Sequence, residues 1–198
     1  MTERTDFLSH AWYTIARAIA VAGVNADLFK MPELISKSVN RRVRAELRRL
    51  AVLLRRLIFV VALQMQRELV PLKPRAGSNY YEPKKPDGEY RYIFTMVPPP
   101  VGPCPSFLKG PVSVPHRGPI SAAPLIARWQ AMLDTLKFHK RRARRLARTI
   151  ERWQAAGEAR PFVPPIPNTH RMPAALGLVS GGLTVQLLAA LKGWPDTS

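Results

Sequence analysis

Apolar residues recur every three or four positions between Val43 and Met65. Val43, Leu47, Leu50, Leu54, Leu57, Ile58, Val61 and Met65 fall on one stripe of a wheel turned by about 100° per residue. The alternating steps of four and three are those of a coiled-coil seam. In that register the pairs Arg41-Arg42, Arg48-Arg49 and Arg55-Arg56, repeating every seven residues, take the outward b and c positions. The e and g positions (Arg44, Glu46, Ala51, Leu53, Ile58, Val60) are too apolar to select a coiled-coil partner. The apolar stripe widens along the helix until residues 57–63, LIFVVAL, are apolar all round. Such a segment requires burial in protein or in lipid. Pro32 fits a first helical turn, and Val70-Pro71 ends the pattern, so the spacing predicts a helix from near Pro32 to about Leu69.

Three further stretches carry helical patterns. In residues 7–22, Phe7, Leu8, Ala11, Trp12, Ile15, Ala18, Ile19 and Ala22 share a face, with Asp6 as N-cap and Gly23 as stop. In residues 121–156, Leu125, Trp129, Met132, Leu133, Leu136, Ala143, Ala147 and Ile150 form a second long stripe. Ser121 serves there as N-cap, Pro124 in the first turn and Gly157 as stop. Residues 173–191 hold no charged side chain, a length that meets the minimum for crossing a bilayer. Ser180, Gly181, Gly182, Thr184 and Gln186 dilute that run. It fits a tail anchor, a helical hairpin broken at Gly181-Gly182, or a packed core or interfacial helix, and the dilution favours packing over spanning.

Between these helices the pattern stops. Residues 71–124 hold thirteen of the chain's twenty prolines, which excludes helix and disfavours central strands. The exception is the β-favouring run Tyr90 to Val97, suited to one edge strand or to an extended segment lying in a groove. The remainder reads as polyproline-like linker, and residues 161–167, PFVPPIP, as a second proline spacer. The expected fold is mainly α: two long basic amphipathic helices plus short N- and C-terminal apolar helices, joined by an extended proline-rich arm. The expected regions are 1–70 (helical, with the Arg-rich helix), 71–120 (linker, with a strand at 90–97), 121–157 (second basic helix) and 158–198 (proline spacer and uncharged apolar segment).

Charge changes the picture from fold to partner. The chain of 198 residues has 31 Lys+Arg against 13 Asp+Glu, a net +18. GC-rich coding alone favours Arg, Ala and Pro, but here the charge is concentrated. Residues 41–67 carry eight Arg and one Glu, and residues 137–152 carry eight Lys+Arg and one Glu, so each stretch holds +7. Neither helix can neutralise the other, so both basic faces are expected to point outward. The polyanion-binding candidates are Arg41, Arg42, Arg48, Arg49, Arg55 and Arg56, with Lys137, Lys140, Arg141, Arg142, Arg144, Arg145, Arg148 and Arg152. One aromatic interrupts each basic face: Phe59 and Phe138. Either stacks a base, dips into a headgroup layer, or packs on a neighbouring helix, which is the commoner fate. Leu183, Leu187, Leu188 and Leu191 are the matching membrane or core contacts in the C-terminal segment.

Other chemistry is not suggested. The single Cys104 makes no intramolecular disulfide, and the N-terminal MTERTDFLSHAW lacks the pattern of a signal peptide. His10, His116, His139 and His170 have no paired ligand spacing. There is no phosphate-binding glycine loop, no nucleophile elbow and no carboxylate pair. The expectation is a non-enzymatic protein without metal, cofactor or evident small-molecule substrate. Its expected partner is anionic membrane lipid at the cytoplasmic face, with peripheral or tail-anchored attachment. Weakly specific nucleic-acid binding is the alternative. An assembly or scaffold role with an acidic protein partner is the third.

Overall fold

The computed structural model describes residues 2–66, 92–96, 118–161, 163, 165–166, 172–192 and 194. The protein is mainly helical. Its elements are α1 (Thr2–Val24), a 3-10 turn (Leu28–Lys30), β1 (Leu34–Ile35), α2 (Lys37–Met65), β2 (Ile120–Ser121), α3 (Ala123–Lys137), α4 (His139–Ala155) and α5 (Ala174–Leu191). Most of the proline-rich arm lies outside the described residues.

Helix α2 is the centre, with α1, α4 and α5 packed around it. Its burial follows its sequence. Val43, Leu47 and Leu50 bury one narrow stripe, whereas Leu53, Leu54, Leu57, Ile58, Val60 and Ala62 are buried on several sides. Replacing one of these central leucines by Ala would cost about 2–5 kcal/mol. The helix begins later than the proline suggested. Ser36 is its N-cap and accepts from the Val39 amide at 3.3 Å. The residues between Pro32 and Ser36 instead form β1, which pairs antiparallel with β2 (Leu34 with Ser121, Ile35 with Ile120). That ribbon ties the entry of α2 to the entry of α3.

Helix directions follow from four contacts. Gln66 at the end of α2 bonds Gln154 near the end of α4. About one dozen residues earlier, Arg55 and Arg142 hold the adjacent carbonyls of Thr95 and Phe94. Helices α2 and α4 therefore run in the same direction. Helix α5 runs with them: Thr184 meets Arg56, and Trp194 donates to the Glu158 carbonyl just beyond α4.

Four expectations about the helices are corrected. Gly23 does not stop α1, which continues to Val24. Its missing side chain serves packing: a Cβ there would lie 2.1 Å from Trp129 Cε2. The Trp129 indole donates to the Ile19 carbonyl at 2.9 Å and fixes α3 against α1. Asp6 lies inside α1 rather than before it. The second long helix is two helices broken at Phe138 (φ −105°, ψ 26°). Side chains there compete for the backbone. The Thr135 hydroxyl donates to the Ala131 carbonyl at 2.7 Å, and His139 Nδ1 donates to the Leu136 carbonyl at 2.8 Å. Hydroxyl back-bonding of this kind bends helices. The His139 ring then stacks on Trp12, centroids 4.1 Å apart. Ser121 lies one residue before the N-cap Ala122.

Gly157 does end α4 as expected. Its φ is 66°, and the amides of Gly157 and Glu158 close onto the carbonyls of Gln154 and Trp153. This is the left-handed cap for which glycine is suited.

Candidate polyanion-binding surface

Helix α5 is one unbroken helix through Gly181-Gly182, not a hairpin. It is long and apolar enough to cross a membrane by length and composition. Here it lies on α2 and α1, burying Leu176, Val179, Leu183, Leu187 and Leu191. Gly182 is the contact point: an added Cβ would sit 2.4 Å from the Phe7 ring. The opposite face is outward and uncharged. Leu178 is 76 % exposed, Val185 68 % and Leu188 45 %, with Ala174, Gly177, Gly181, Ala189 and Ala190 between and around them. Of the leucines expected to make core or membrane contact, Leu183, Leu187 and Leu191 are therefore core, and Leu188 faces out.

The arginine pairs of α2 split into two rows. Arg41, Arg42 and Arg48 are exposed, and Arg49 and Arg55 are half-buried. Arg56 departs from the outward position expected of it. It is 7 % exposed, and its Nη1 donates to the Thr184 hydroxyl of α5 at 2.6 Å. Desolvation lowers its pKa. The reason is α5, which covers this side of α2. Seven-residue spacing puts Arg42 and Arg49 on the same side of α2 as Arg56, the side that meets α5. Arg41, Arg48 and Arg55 point toward α3 and α4.

On that second side lies the described part of the β-favouring run. Residues 92–96 form no strand; they lie between α2, α3 and α4. Phe94 is buried, and Arg55 covers its ring at 4.6 Å while donating to the Thr95 carbonyl at 2.7 Å. Arg142 reaches the Phe94 carbonyl at 3.2 Å, and Arg128 covers the Tyr92 ring at 5.3 Å. The two basic helices thus approach each other instead of diverging. Carbonyl oxygens and aromatic faces between them accept the guanidinium groups. The charge density is still felt. Arg128 has its pKa lowered by burial, partly countered by Tyr92 and then lowered further by Arg48, Arg55 and Arg44. Its Nε is sealed from water with no acceptor among the described residues.

Helix α4 presents the third basic surface. Lys140, Arg141, Arg144, Arg145 and Arg152 are exposed, as is Lys137 at the end of α3, while Arg142 and Arg148 are half-buried. The first turn of α4 carries His139, Lys140, Arg141 and Arg142 and no acidic residue. Cations at a helix N-terminus oppose the macrodipole at about 0.3–1 kcal/mol each. Burial lowers the Arg142 pKa, with Asp134 raising it and Arg145 lowering it. Phe138, Arg141, Arg142, Arg145, Leu146, Thr149 and Trp153, with Met96 opposite, line an open groove of about 580 Å³. Phe138 is 48 % exposed beneath Lys137, whose Nζ lies 5.3 Å from the ring. Phe59, by contrast, packs against the core.

Sequence reasoning missed Arg44, Arg128, Tyr92, Phe94, Met96 and Trp153 as members of these surfaces. Arg128 stands nine residues from Lys137, the other cation of α3, and no basic run marked it. Among the described residues, no group of three His, Cys, Asp or Glu is placed to hold a metal. Among the described residues a salt bridge joins Lys30 to Asp27, and no described carboxylate lies within 4 Å of the exposed cations of α4. No known protein family, curated protein or solved structure matches this chain.

Proposed function

We propose that the protein attaches to an anionic membrane surface, with α5 in the interface and flanking arginines over the headgroups. The observation that carries this reading is the outward face of α5. From Ala174 to Ala190 it offers only uncharged side chains on a chain of net charge +18. A contiguous apolar face of that length marks a contact surface more often than bare solvent exposure. Immersing Leu178, Val185 and Leu188 would contribute on the order of 1.5–3 kcal/mol each if fully buried. Each Arg near anionic lipid adds about 1 kcal/mol. Arg42 and Arg49 lie on the α5 side of α2 and are the first candidates. The Arg56–Thr184 bond favours a docked, interfacial α5, since spanning would break that bond or draw a guanidinium into hydrocarbon. Anionic lipid is richest in the cytoplasmic leaflet, which is where we place the protein.

Flotation with anionic vesicles in high salt tests this. Screening removes purely electrostatic adsorption. The protein is expected to float, and a Leu178→Ser/Val185→Ser/Leu188→Ser variant to stay below. Wild-type protein that sediments under these conditions rejects the reading. Nucleic-acid binding is the second reading, favoured by exposed Phe138 among the arginines of α4. It predicts affinity falling steeply with salt; a flat response removes it.

A further inference from the structure

The groove along α4 combines features that the membrane reading does not use. Positions 138, 141, 142, 145, 146, 149 and 153 share one face of the helix. Arg141 and Arg145 stand one turn apart there, exposed, with no described carboxylate within 4 Å. Arg142 between them commits one Nη to the Phe94 carbonyl, which fixes its guanidinium at the groove wall. Two or three convergent guanidinium groups match the tetrahedral oxygens of a phosphate ester. The rest of the groove is not polar. From Arg145 the face continues through Leu146 and Thr149 to Trp153, about 12 Å along the axis, with Met96 opposite. Its volume is in the range of small-molecule sites. The crowding of cations in the first turn supplies the remaining reason. A bound anion would relieve their mutual repulsion and their conflict with the helix dipole, and departures from local rules of this kind concentrate at functional sites.

We propose that this groove is a binding site for an amphiphilic phosphate monoester. The phosphate is held by Arg141 and Arg145 with Arg142 behind them. The apolar body lies along Leu146 and Thr149 toward Trp153. The same chemistry is offered by a lysed or short-chain lipid phosphate and by a soluble aryl phosphate. The site does not depend on the α5 face, and the test uses soluble ligands so that failure of one reading leaves the other standing.

Calorimetric titration of the full chain with dihexanoyl phosphatidate below its micelle concentration, with phenyl phosphate and with inorganic phosphate decides the matter. At least one organic phosphate is expected to bind tenfold or more tighter than inorganic phosphate, and the tighter of the two identifies an acyl or an aryl source. Arg141→Gln/Arg145→Gln should weaken that binding at least tenfold. Arg144→Gln/Arg41→Gln removes the same charge from exposed positions outside the groove lining and should leave it within twofold. Both pairs are exposed, so the thermal midpoints should match wild type, which a folding defect would not allow. The proposal is overturned if neither organic phosphate binds saturably at millimolar concentration, if inorganic phosphate binds as well, or if the two double variants weaken binding equally.

Discussion

Alanine at position 181 and alanine at position 182 are expected to shift stability in opposite directions. Both glycines lie inside α5, where Gly costs roughly 1 kcal/mol relative to Ala. At Gly181 a Cβ meets nothing within 4 Å, so Gly181→Ala should stabilise by about 0.5–1 kcal/mol. At Gly182 the same atom would fall 2.4 Å from Phe7 Cζ and 2.5 Å from Cε2, far inside contact distance. Moving a packed ring costs about 1–3 kcal/mol, which cancels or exceeds the propensity gain. The two variants should therefore differ by about 1–3 kcal/mol, with Gly182→Ala the less stable. Urea unfolding followed by far-ultraviolet circular dichroism measures the gap. A Phe7→Ala background removes the clash, and there Gly182→Ala should become stabilising like its neighbour. Equal effects at 181 and 182 in the wild-type background would refute the seating of α5 on α1 and, with it, the division of α5 into a docked and an outward face.

Three other perturbations probe the supports of this arrangement. Thr184→Val removes the hydroxyl that Arg56 reaches and should cost about 1.5–3 kcal/mol in urea unfolding; a loss below about 0.5 kcal/mol would contradict the contact. Gly23→Ala places a Cβ 2.1 Å from the hydrogen-bonded Trp129 ring and should lower the thermal midpoint by several degrees, for a loss of about 1–3 kcal/mol; an unchanged midpoint would show that α1 and α3 do not meet there. Phe94→Ala empties a buried site under Arg55 and should cost about 3–5 kcal/mol; a loss below about 1 kcal/mol would mean that residues 92–96 are not part of the folded core.

The sequence made the helices visible because burial on one side writes itself as spacing. The stripe from Val43 to Ile58 is buried in α2 as its pattern required, and Phe59, Val61, Leu63 and Met65 are partly buried against the same core. What the pattern hid were places where one contact overrides local preference. Gly23 looked like a stop and is a space for Trp129. The stripe 125–150 looked continuous, but Thr135 and His139 divert carbonyls at Phe138, and no periodicity records that. Arg56 carried the same signal as Arg42 and Arg49. Only the arrival of α5, from 128 residues away in sequence, places it inside. The candidate surface was half legible for the same reason. Exposed cations on α4 follow from its wheel. The clasp of Arg55, Arg128 and Arg142 on Tyr92 and Phe94 joins three helices to a segment with no helical signal. The two-residue ribbon of β1 and β2 is too short to leave any alternation to read.

The central claim is that the outward face of α5 enters lipid, and a polarity-sensitive fluorophore tests it most directly. It is attached at Val185→Cys in a Cys104→Ser background, with Arg144→Cys on α4 as the comparison site. On adding anionic vesicles in high salt, the label at 185 should shift to the emission of a hydrocarbon-like environment while the label at 144 stays water-like. Water-like emission at 185 in the presence of vesicles would contradict the account.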